Sequence, residues 1–257
     1  MIDKDLKLIV DEIIDSTKRI INGSPLNNLF DLSTEDTTYY VDGTNGSDDN
    51  DGSYSKPFKT LGKAYGSIPK FYNNKYIIDI SKKEEYTITK SDVEALEEKK
   101  YGNIKSKPIV ITGSGLSSNT NIIFPHTYIY IVGLENIIFK ECKITTDNKS
   151  FSLHLNNSSN ITFDNCDINC SMLIDCCKDV TLKFCTLNAC NSSNIISATE
   201  SYIDIIGGLN INSNGESNVS GIKITYGDLR VKCDIAVDSG VVSDIISNYS
   251  TVISYTS

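Results

Sequence analysis

Apolar and polar residues alternate along five short segments in the second half of the chain. A period of two residues is typical of a β-strand with one buried face. The segments recur 19 to 26 residues apart. Repeats of this size indicate a solenoid, because one unit buries its apolar face only by stacking on the next. The clearest copies are NIIFKECKI (136–144), NITFDNCDI (160–168) and DVTLKFCTL (179–187), with looser copies at 201–211 and 227–237.

The repeat supplies three strands per turn. A second apolar pair precedes each copy: Leu153 and Leu155 form one such pair, and Ile174 and Cys176 form the next. A third short strand follows the cysteine position, and Asn, Ser, Gly and Asp separate the strands. The sequence therefore predicts an all-β protein, a single-stranded parallel β-helix. The predicted inward residues of the third strand are Ile144, Ile168, Leu187, Ile211 and Ile235.

The cysteine position is predicted to form one inward column, because stacked rungs place equivalent residues above one another about 4.8 Å apart. The column is either a disulfide framework or a ladder of reduced thiols. We favour thiols, because in-register side chains keep their Cβ atoms near the strand spacing, beyond the roughly 3.8 Å that a disulfide prefers. Its members are Cys142, Cys166, Cys185 and Cys233, with Gly207 or Gly208 in the gap.

Charges of opposite sign alternate along an outward column, where Lys140, Asp164 and Lys183 are predicted to stack beside Lys143 and Asp167. A catalytic interpretation takes Asp164 and Asp167 as a carboxylate pair. The alternative is a solvated charge ladder that keeps neighbouring rungs in register. We favour the ladder, because lysines occupy the same positions of adjacent rungs.

Residues 1–24 are predicted to form an amphipathic α-helix, followed by a polar linker over residues 25–38. The apolar stripe of the helix is too hydrophobic to face water. It packs on the chain's own body, forms a small bundle with symmetry mates, or docks on a larger assembly. We favour the intermolecular role, because the linker lets the helix stand apart. The stripe contains Ile2, Leu6, Ile9, Ile13 and Ile20.

Residues 39–75 are predicted to open the β-helix, with a strand at Tyr39–Val41, a polar loop, and a short helix from Pro57 or Phe58 to Ile68. The loop aspartates match only part of a calcium loop, because Phe58 stands where a bidentate Glu would fall. Turn geometry explains the same residue types. We therefore expect no cofactor, and the alternative is a calcium ion bound by this loop. The candidate ligands are Asp48, Asp49 and Asp51.

The same segment resembles the opening motif of right-handed parallel β-helix proteins of the pectate-lyase-like superfamily, phage tailspikes and tail fibres included. The matching residues are Tyr40-Val41-Asp42, Gly46, Asp48, Asp51-Gly52, Pro57 to Leu61, and Ala64. The resemblance implies a right-handed β-helix, a short helix that covers its N-terminal end, and a homotrimer. It does not select a reaction, because the fold carries lyases, hydrolases and non-enzymatic binders.

The remaining chain completes the predicted division. Residues 76–240 form the β-helix, and residues 241–257 form a C-terminal cap or an intersubunit strand. A helical insertion is predicted at Ser91–Lys100, with Ser91 as its N-cap and Glu94 completing a capping box.

Composition narrows the partners. The 257-residue chain has a formal net charge of −9, which argues against nucleic acid or an anionic membrane surface as a partner. It has no apolar run near the roughly 18 residues of a membrane span. Its start lacks the apolar core of a signal peptide. Together with the resemblance to phage tailspikes and tail fibres, these features lead us to expect assembly in a host cytoplasm and a final location in a virion.

The sequence contains candidates for chemistry but no convincing catalytic cluster. Glycosidases use two carboxylates about 5 to 9.5 Å apart, and outward aspartates on neighbouring rungs can supply such a pair. Tyrosines on the surface are candidates for stacking on sugar rings, or are ordinary rung aromatics. The carboxylate candidates are Asp164, Asp167, Asp204 and Asp228, and the tyrosine candidates are Tyr128, Tyr130, Tyr202 and Tyr226.

Three functions follow as expectations. The first is a phage spike or fibre protein that binds a host-surface glycan and contacts other virion proteins through its N-terminal helix. The alternative is a polysaccharide depolymerase, either a lyase or a glycoside hydrolase, on the same β-helix. A bacterial surface adhesin is the third.

Overall fold

The computed structural model describes Phe30–Asp31 and residues 35–254, except for residues 70, 73, 83, 99–106, 114–119, 128–129, 149, 151, 191–193 and 249. The predicted N-terminal helix, with Ile2, Leu6, Ile9, Ile13 and Ile20, lies outside the described residues. Tyr128 and most of the linker over residues 25–38 lie outside them as well.

Three parallel sheets wind around one apolar core, which confirms the predicted all-β parallel β-helix. Sheet I contains β2 (Thr37–Tyr40), β4 (Tyr76–Asp79), β6 (Ile109–Thr112), β9 (Glu135–Lys140), β12 (Ser159–Asp164), β19 (Asp228–Lys232) and β22 (Thr251–Ser254). Sheet II contains β5 (Glu85–Thr87), β7 (Thr120–Phe124), β10 (Cys142–Thr146), β13 (Asp167–Asn169) and β20 (Ile235–Val237).

Two long strands turn the corner between these sheets and belong to both: β15 (Lys178–Asn188) and β17 (Tyr202–Asn212). Sheet III contains β8 (Tyr130–Val132), β11 (Leu153–Asn156), β14 (Met172–Asp175), β16 (Asn194–Thr199), β18 (Val219–Thr225) and β21 (Val241–Asn248). A separate parallel pair joins β1 (Phe30–Asp31) to β3 (Phe71–Tyr72). The segment from residue 241 continues the solenoid, since β21 pairs with β18 and β22 pairs with β19.

The alternation sets the register of the rungs. The first apolar position of each copy stacks on the next, and this column is fully buried. Each such stack removes branched aliphatic side chains from water at about 25 cal/mol per Å² of apolar surface. The column contains Ile137, Ile161, Val180, Ile203 and Leu229.

The cysteine column is confirmed for three residues and wrong for the fourth. Cys142, Cys166 and Cys185 stack in register as free thiols, and the Sγ atoms of Cys142 and Cys166 lie 3.6 Å apart. Leu209 follows Cys185 in the column, and Ile235 follows Leu209. Cys233 misses the column because it comes directly after Lys232, one position earlier than the other cysteines.

The same shift corrects two further predictions. Ile235 is not the last member of the third inward column, since Val237 pairs with Ile211 there. Cys176 is not inward either. It is an exposed corner residue at φ 53°, and Met172 and Ile174 form the buried pair of that strand.

Two helices cover the beginning of the solenoid. Helix α1 (Leu61–Ser67) is shorter than predicted and begins after Thr60, whose hydroxyl accepts a hydrogen bond from the Lys63 amide at 3.1 Å. Helix α2 (Lys90–Glu98) begins one residue before the predicted cap Ser91. Thr89 caps it instead: its hydroxyl accepts from the Asp92 amide at 3.3 Å.

Helix α2 also protects a sheet edge. The Glu97 carboxylate accepts a hydrogen bond from the Val132 amide of β8 at 3.1 Å. Unpaired strand edges are templates for association, and a covering helix removes that hazard. No helix within the described part of the chain has the length and apolar character needed to cross a membrane.

Candidate functional site

Four of the predicted site residues converge on one corner of the solenoid, where sheet III passes into sheet I. Tyr202 and Asp204 lie on β17, and Asp228 lies opposite Tyr202 on β19. Tyr226 occupies the turn just before β19. With two charged neighbours, these residues form what we call the corner cluster: Asp179, Tyr202, Asp204, Tyr226, Asp228 and Arg230.

Arg230 holds the corner cluster together. It lies directly opposite Asp204 in the register of β17 and β19, and its Nε is 2.6 Å from Asp204 Oδ1. Its Nη2 is 3.8 Å from Asp179 Oδ1, so one guanidinium contacts two carboxylates. The Nε contact has the length of a hydrogen bond but not its direction, since Asp204 Oδ1 has no hydrogen-bond partner. The interaction with Asp204 is therefore an ion pair.

The two carboxylates differ in access. The Asp204 side chain is 15% exposed and the Asp179 side chain is 61% exposed. Neighbouring side chains thus limit the approach of a ligand to Asp204, while Asp179 is open to solvent. An exposed ion pair contributes little to the free energy of unfolding. Removing one member of a shielded pair leaves the other charge uncompensated and is destabilising.

The tyrosines present large apolar surfaces to solvent on consecutive rungs. Tyr202 is 46% exposed and Tyr226 is 60% exposed. Tyr226 has a left-handed backbone at φ 54°, as do Glu200 and Cys176 at the same corner of the two preceding rungs. A bulky side chain is disfavoured in that conformation.

Cys176 and Glu200 are the corner residues of the rungs that carry Asp179 and Tyr202. The Cys176 thiol lies 3.7 Å from Glu200 Oε2. Desolvation, with the negative charge of Glu200 adding to it, raises the pKa of Cys176. The thiol is therefore a poor nucleophile despite its exposure.

The other carboxylate candidates lie apart from the corner cluster and from each other. Asp164 ends β12 on sheet I and forms an ion pair with Lys183 at 3.0 Å. Asp167 begins β13 on sheet II, in register with Lys143. A corner of the solenoid separates them, and each stacks against a lysine in the predicted ladder of alternating charge.

Tyr130 lies on sheet III. Its ring is 5.5 Å from the ring of His154, its partner in the adjacent strand. The other histidine, His126, contacts Asp147 Oδ2 through Nδ1 at 3.0 Å on the surface. Hydrogen bonding to His126 lowers the pKa of Asp147. Neither histidine belongs to the corner cluster.

Two aspartates of the opening loop, Asp48 and Asp51, accept hydrogen bonds from backbone amides. Asp48 Oδ1 accepts from the amides of Lys59 and Thr60 at 3.0 and 2.9 Å, and Asp51 Oδ1 accepts from the Ser53 amide at 2.9 Å. The Asp49 amide donates to Ser47 Oγ at 3.3 Å. Within the described residues, no group of three or more His, Cys, Asp or Glu side chains is placed to hold a metal ion.

Asp179 was missed by the sequence reasoning, although a signal existed. It occupies the same repeat position as Asn136 and Asn160, and all three have left-handed backbones. Residues at such corners point their side chains outward. An aspartate there, followed two rungs later by an outward arginine, is the pattern that would have identified it.

The cluster offers both hydrogen-bonding groups and exposed apolar ring faces. Tyrosine faces pack on the apolar face of a sugar ring, and carboxylates and a guanidinium exchange hydrogen bonds with hydroxyl groups. Asp179 and Asp204, which contact the same guanidinium, are the carboxylates of this cluster that are placed close together.

No protein-family model matches the sequence, and no curated protein matches it. Among solved structures, the chain is similar to a GH136 lacto-N-biosidase from Eubacterium ramulus, with 13% identity, a TM-score of 0.36 and coverage of 96% of this chain. The chain spans 59% of the length of that protein. It is also similar to a rhamnogalacturonan lyase, with 12% identity, a TM-score of 0.37, and coverage of 82% of this chain and 86% of the other.

Proposed function

We propose that the protein is a glycan-binding spike or fibre protein of a phage-type particle, and that the corner cluster contacts host-surface polysaccharide. The observation that carries the glycan-binding part of the proposal is the exposure of Tyr202 and Tyr226 on consecutive rungs beside Arg230 and its two carboxylates. The phage-particle part rests on the resemblance of the opening segment to that of phage tailspikes and tail fibres. Apolar ring surface that is exposed to water is unfavourable, and a ligand that covers the ring removes this surface from water.

The spacing of the solenoid suits a polymer. Neighbouring rungs are about 4.8 Å apart, and a pyranose unit extends about as far. A linear glycan running along the solenoid axis therefore advances about one sugar per rung. Tyr202 lies opposite Asp228, and Tyr226 lies two residues before Asp228 on the next rung. The two tyrosines thus offer stacking surfaces on consecutive rungs, offset along the chain, and Asp179 offers an accessible acceptor for hydroxyl groups.

A glycan array of bacterial capsule and cell-wall polysaccharides tests this function with the full chain. We expect binding by the wild type and loss of at least about tenfold in affinity for the Tyr202→Ala/Tyr226→Ala variant, equal to about 1.4 kcal/mol. Tyr130→Ala is the matched control, because it removes an exposed tyrosine from sheet III. Equal binding by all three proteins contradicts the assignment of the site.

Assembly forms a second part of the proposal. The N-terminal apolar stripe joins three copies of the chain and attaches them to other virion proteins. Light scattering on the full-length chain and on an Ile9→Asp/Ile13→Asp variant tests this. A trimer that dissociates in the variant supports the proposal, and a wild-type monomer contradicts it.

A depolymerase is the second candidate, and one specific observation favours it. Asp179 and Asp204 contact the same guanidinium, so two carboxylates lie close together. Glycoside hydrolysis uses such pairs. Release of new reducing ends from a bound polysaccharide, abolished in Asp179→Asn and in Asp204→Asn, supports hydrolysis. Binding without any release of sugar leaves the binding function alone.

A further inference from the structure

A groove lies at the edge of sheet I opposite the corner cluster, where β15 and β17 turn into sheet II. It has a volume of about 360 Å³, within the range of small-ligand sites. None of the corner-cluster residues lines it. The lining residues that matter here are Phe184, Gly207, Gly208, Asn210 and Asp234.

Phe184 is the unusual residue of this groove. It is 54% exposed and has a left-handed backbone at φ 53°. Asn165 and Glu141 occupy the same corner in the two preceding rungs, at φ 57° and 54°. Asparagine tolerates this conformation, but a phenylalanine gains nothing from it. Phe184 thus neither favours this backbone conformation nor buries its side chain in the core. Residues held in such strained conformations cluster at ligand sites.

The neighbouring rung is shaped around the Phe184 ring. Lys183 pairs with Ile206 and Cys185 pairs with Leu209, so Phe184 alone faces Gly207 and Gly208 in a β-bulge. A Cβ atom on Gly207 would lie 2.5 Å from the ring, so the ring rests directly against the glycine backbone. The bulge fixes the direction of the ring and opens the groove beside it.

Polar groups complete the groove. Asn210 on β17 and Asp234, just before β20, both line it and are exposed. An amide both donates and accepts hydrogen bonds, and a carboxylate accepts two from adjacent hydroxyl groups. The Lys183 Nζ lies 5.7 Å from the Phe184 ring centroid, but its ion pair is with Asp164. Asp164 thus compensates the charge of Lys183, and Asp234 is the charged residue of the groove lining. Its carboxylate disfavours an anionic ligand.

We propose that this groove binds one ring of a neutral pyranose, with the C–H face of the sugar on Phe184 and its hydroxyl groups on Asn210 and Asp234. The ligand class rests on the proposed glycan-binding function, but the site uses no residue of the corner cluster. The groove is thus a separate subsite, at the opposite edge of sheet I.

Saturation-transfer NMR on the full chain tests the proposal with three probes: methyl β-D-glucopyranoside, methyl β-D-galactopyranoside, and methyl β-D-glucuronide as the anionic analogue. Phe184→Asn removes the ring and installs the residue that the preceding rung already carries at this corner. Its fold should therefore be intact, and its melting temperature should equal or exceed that of the wild type. Glu141→Asn is the matched control at the same corner two rungs away.

We expect at least one neutral glycoside to bind the wild type and Glu141→Asn alike. Phe184→Asn should weaken that binding at least about tenfold, and Asp234→Asn should weaken it severalfold. Absence of saturation transfer from both neutral probes overturns the proposal, as does unchanged binding in Phe184→Asn or equal binding of the glucuronide. A change of molar mass in Phe184→Asn, with sugar binding unaffected, shows a subunit interface instead.

The two proposals fail separately. If polysaccharide binding depends on Tyr202 and Tyr226 while Phe184→Asn has no effect on glycosides, the groove proposal fails and the proposed function stands. If Phe184 determines glycoside binding while no polysaccharide binds, the groove stands and the proposed function fails.

Discussion

The phenol of Tyr86 donates a hydrogen bond to the buried carboxylate of Asp92 at 3.0 Å. The same carboxylate accepts from the amide and the hydroxyl of Thr89 at 2.8 Å each, and from the amide of Gly62 at the start of α1. Tyr86 in turn accepts from the Leu61 amide at 2.7 Å. One carboxylate therefore joins the first turns of α1 and α2 to strand β5, where helix dipoles favour negative charge.

Replacing Asp92 tests this network. Asp92 is fully buried, so Asp92→Asn places an amide where four donors need an acceptor. We expect the free energy of unfolding to fall by about 2 to 4 kcal/mol. Tyr86→Phe removes one donor to Asp92 and the acceptor of the Leu61 amide, and it should cost about 1 to 2 kcal/mol. Urea denaturation measures both, and equal effects of the two variants would contradict the central role of Asp92.

The ion pair between Asp204 and Arg230 gives a second prediction. Arg230→Gln leaves the shielded Asp204 carboxylate without its cation, and we expect a loss of about 1 to 3 kcal/mol in unfolding free energy. The double variant Asp204→Asn/Arg230→Gln should recover most of that loss, because no uncompensated charge remains. Additive effects in this cycle would show that the two residues do not interact.

The bulge at Gly207 gives a third. Gly207→Ala adds a Cβ against the Phe184 ring and strains a backbone at φ 79°. We expect a loss of about 1 to 3 kcal/mol in unfolding free energy. In a Phe184→Asn background the loss should shrink to the backbone part alone, about 1 kcal/mol. An unchanged loss in that background would mean that the ring does not contact this glycine.

The thiols give a fourth prediction, on reactivity. Cys176 is exposed, whereas Cys142, Cys166 and Cys185 are buried. Iodoacetamide should therefore label Cys176 first in the folded protein. The negative charge of Glu200 contributes to the raised pKa of this thiol, so Glu200→Gln should increase its labelling rate severalfold at pH 8. Mass spectrometry identifies the site, and first labelling of a column cysteine would contradict the buried ladder.

The pH dependence of stability follows from the buried thiols. Burial raises the pKa of Cys170 and of Cys185 to about 12 in each case. A raised folded-state pKa stabilises the fold fully below the unfolded value, near 9, and the contribution is lost as pH rises towards 12. The loss is about 1.4 kcal/mol per pH unit for each such thiol.

A denaturation series above pH 9 measures this slope. Cys185→Ala is the matched variant, because it removes one titrating group from the column. Its unfolding free energy should be lower at pH 8, owing to the lost packing, but should fall less steeply with pH. Parallel pH profiles for the variant and the wild type would contradict a raised pKa of Cys185 in the folded protein.

The sequence by itself determined the architecture and most of the inward columns. Ile144, Ile168 and Leu187 stack as the repeat predicts. Inward positions of an in-register parallel stack are chemically equivalent, so period two alone specifies them. The free thiols of Cys142 and Cys166 followed from the same rung spacing. The candidate residues Tyr202, Tyr226, Asp204 and Asp228 were also available as outward positions of the repeat.

Only the tertiary structure decided which of those residues meet. Asp204 lies opposite Arg230 in the register of β17 and β19. Cys233 falls outside the thiol column because the corner between sheets I and II holds two residues instead of one in the rungs of β17 and β19. The bulge at Gly207 and Gly208 is one such corner. Hydrophobic alternation specifies which face of a strand is buried, but corner lengths depend on left-handed backbone conformations that differ by only about 1 kcal/mol between residue types. Cross-rung contacts arise from the sum of those corners, and a local pattern does not contain that sum.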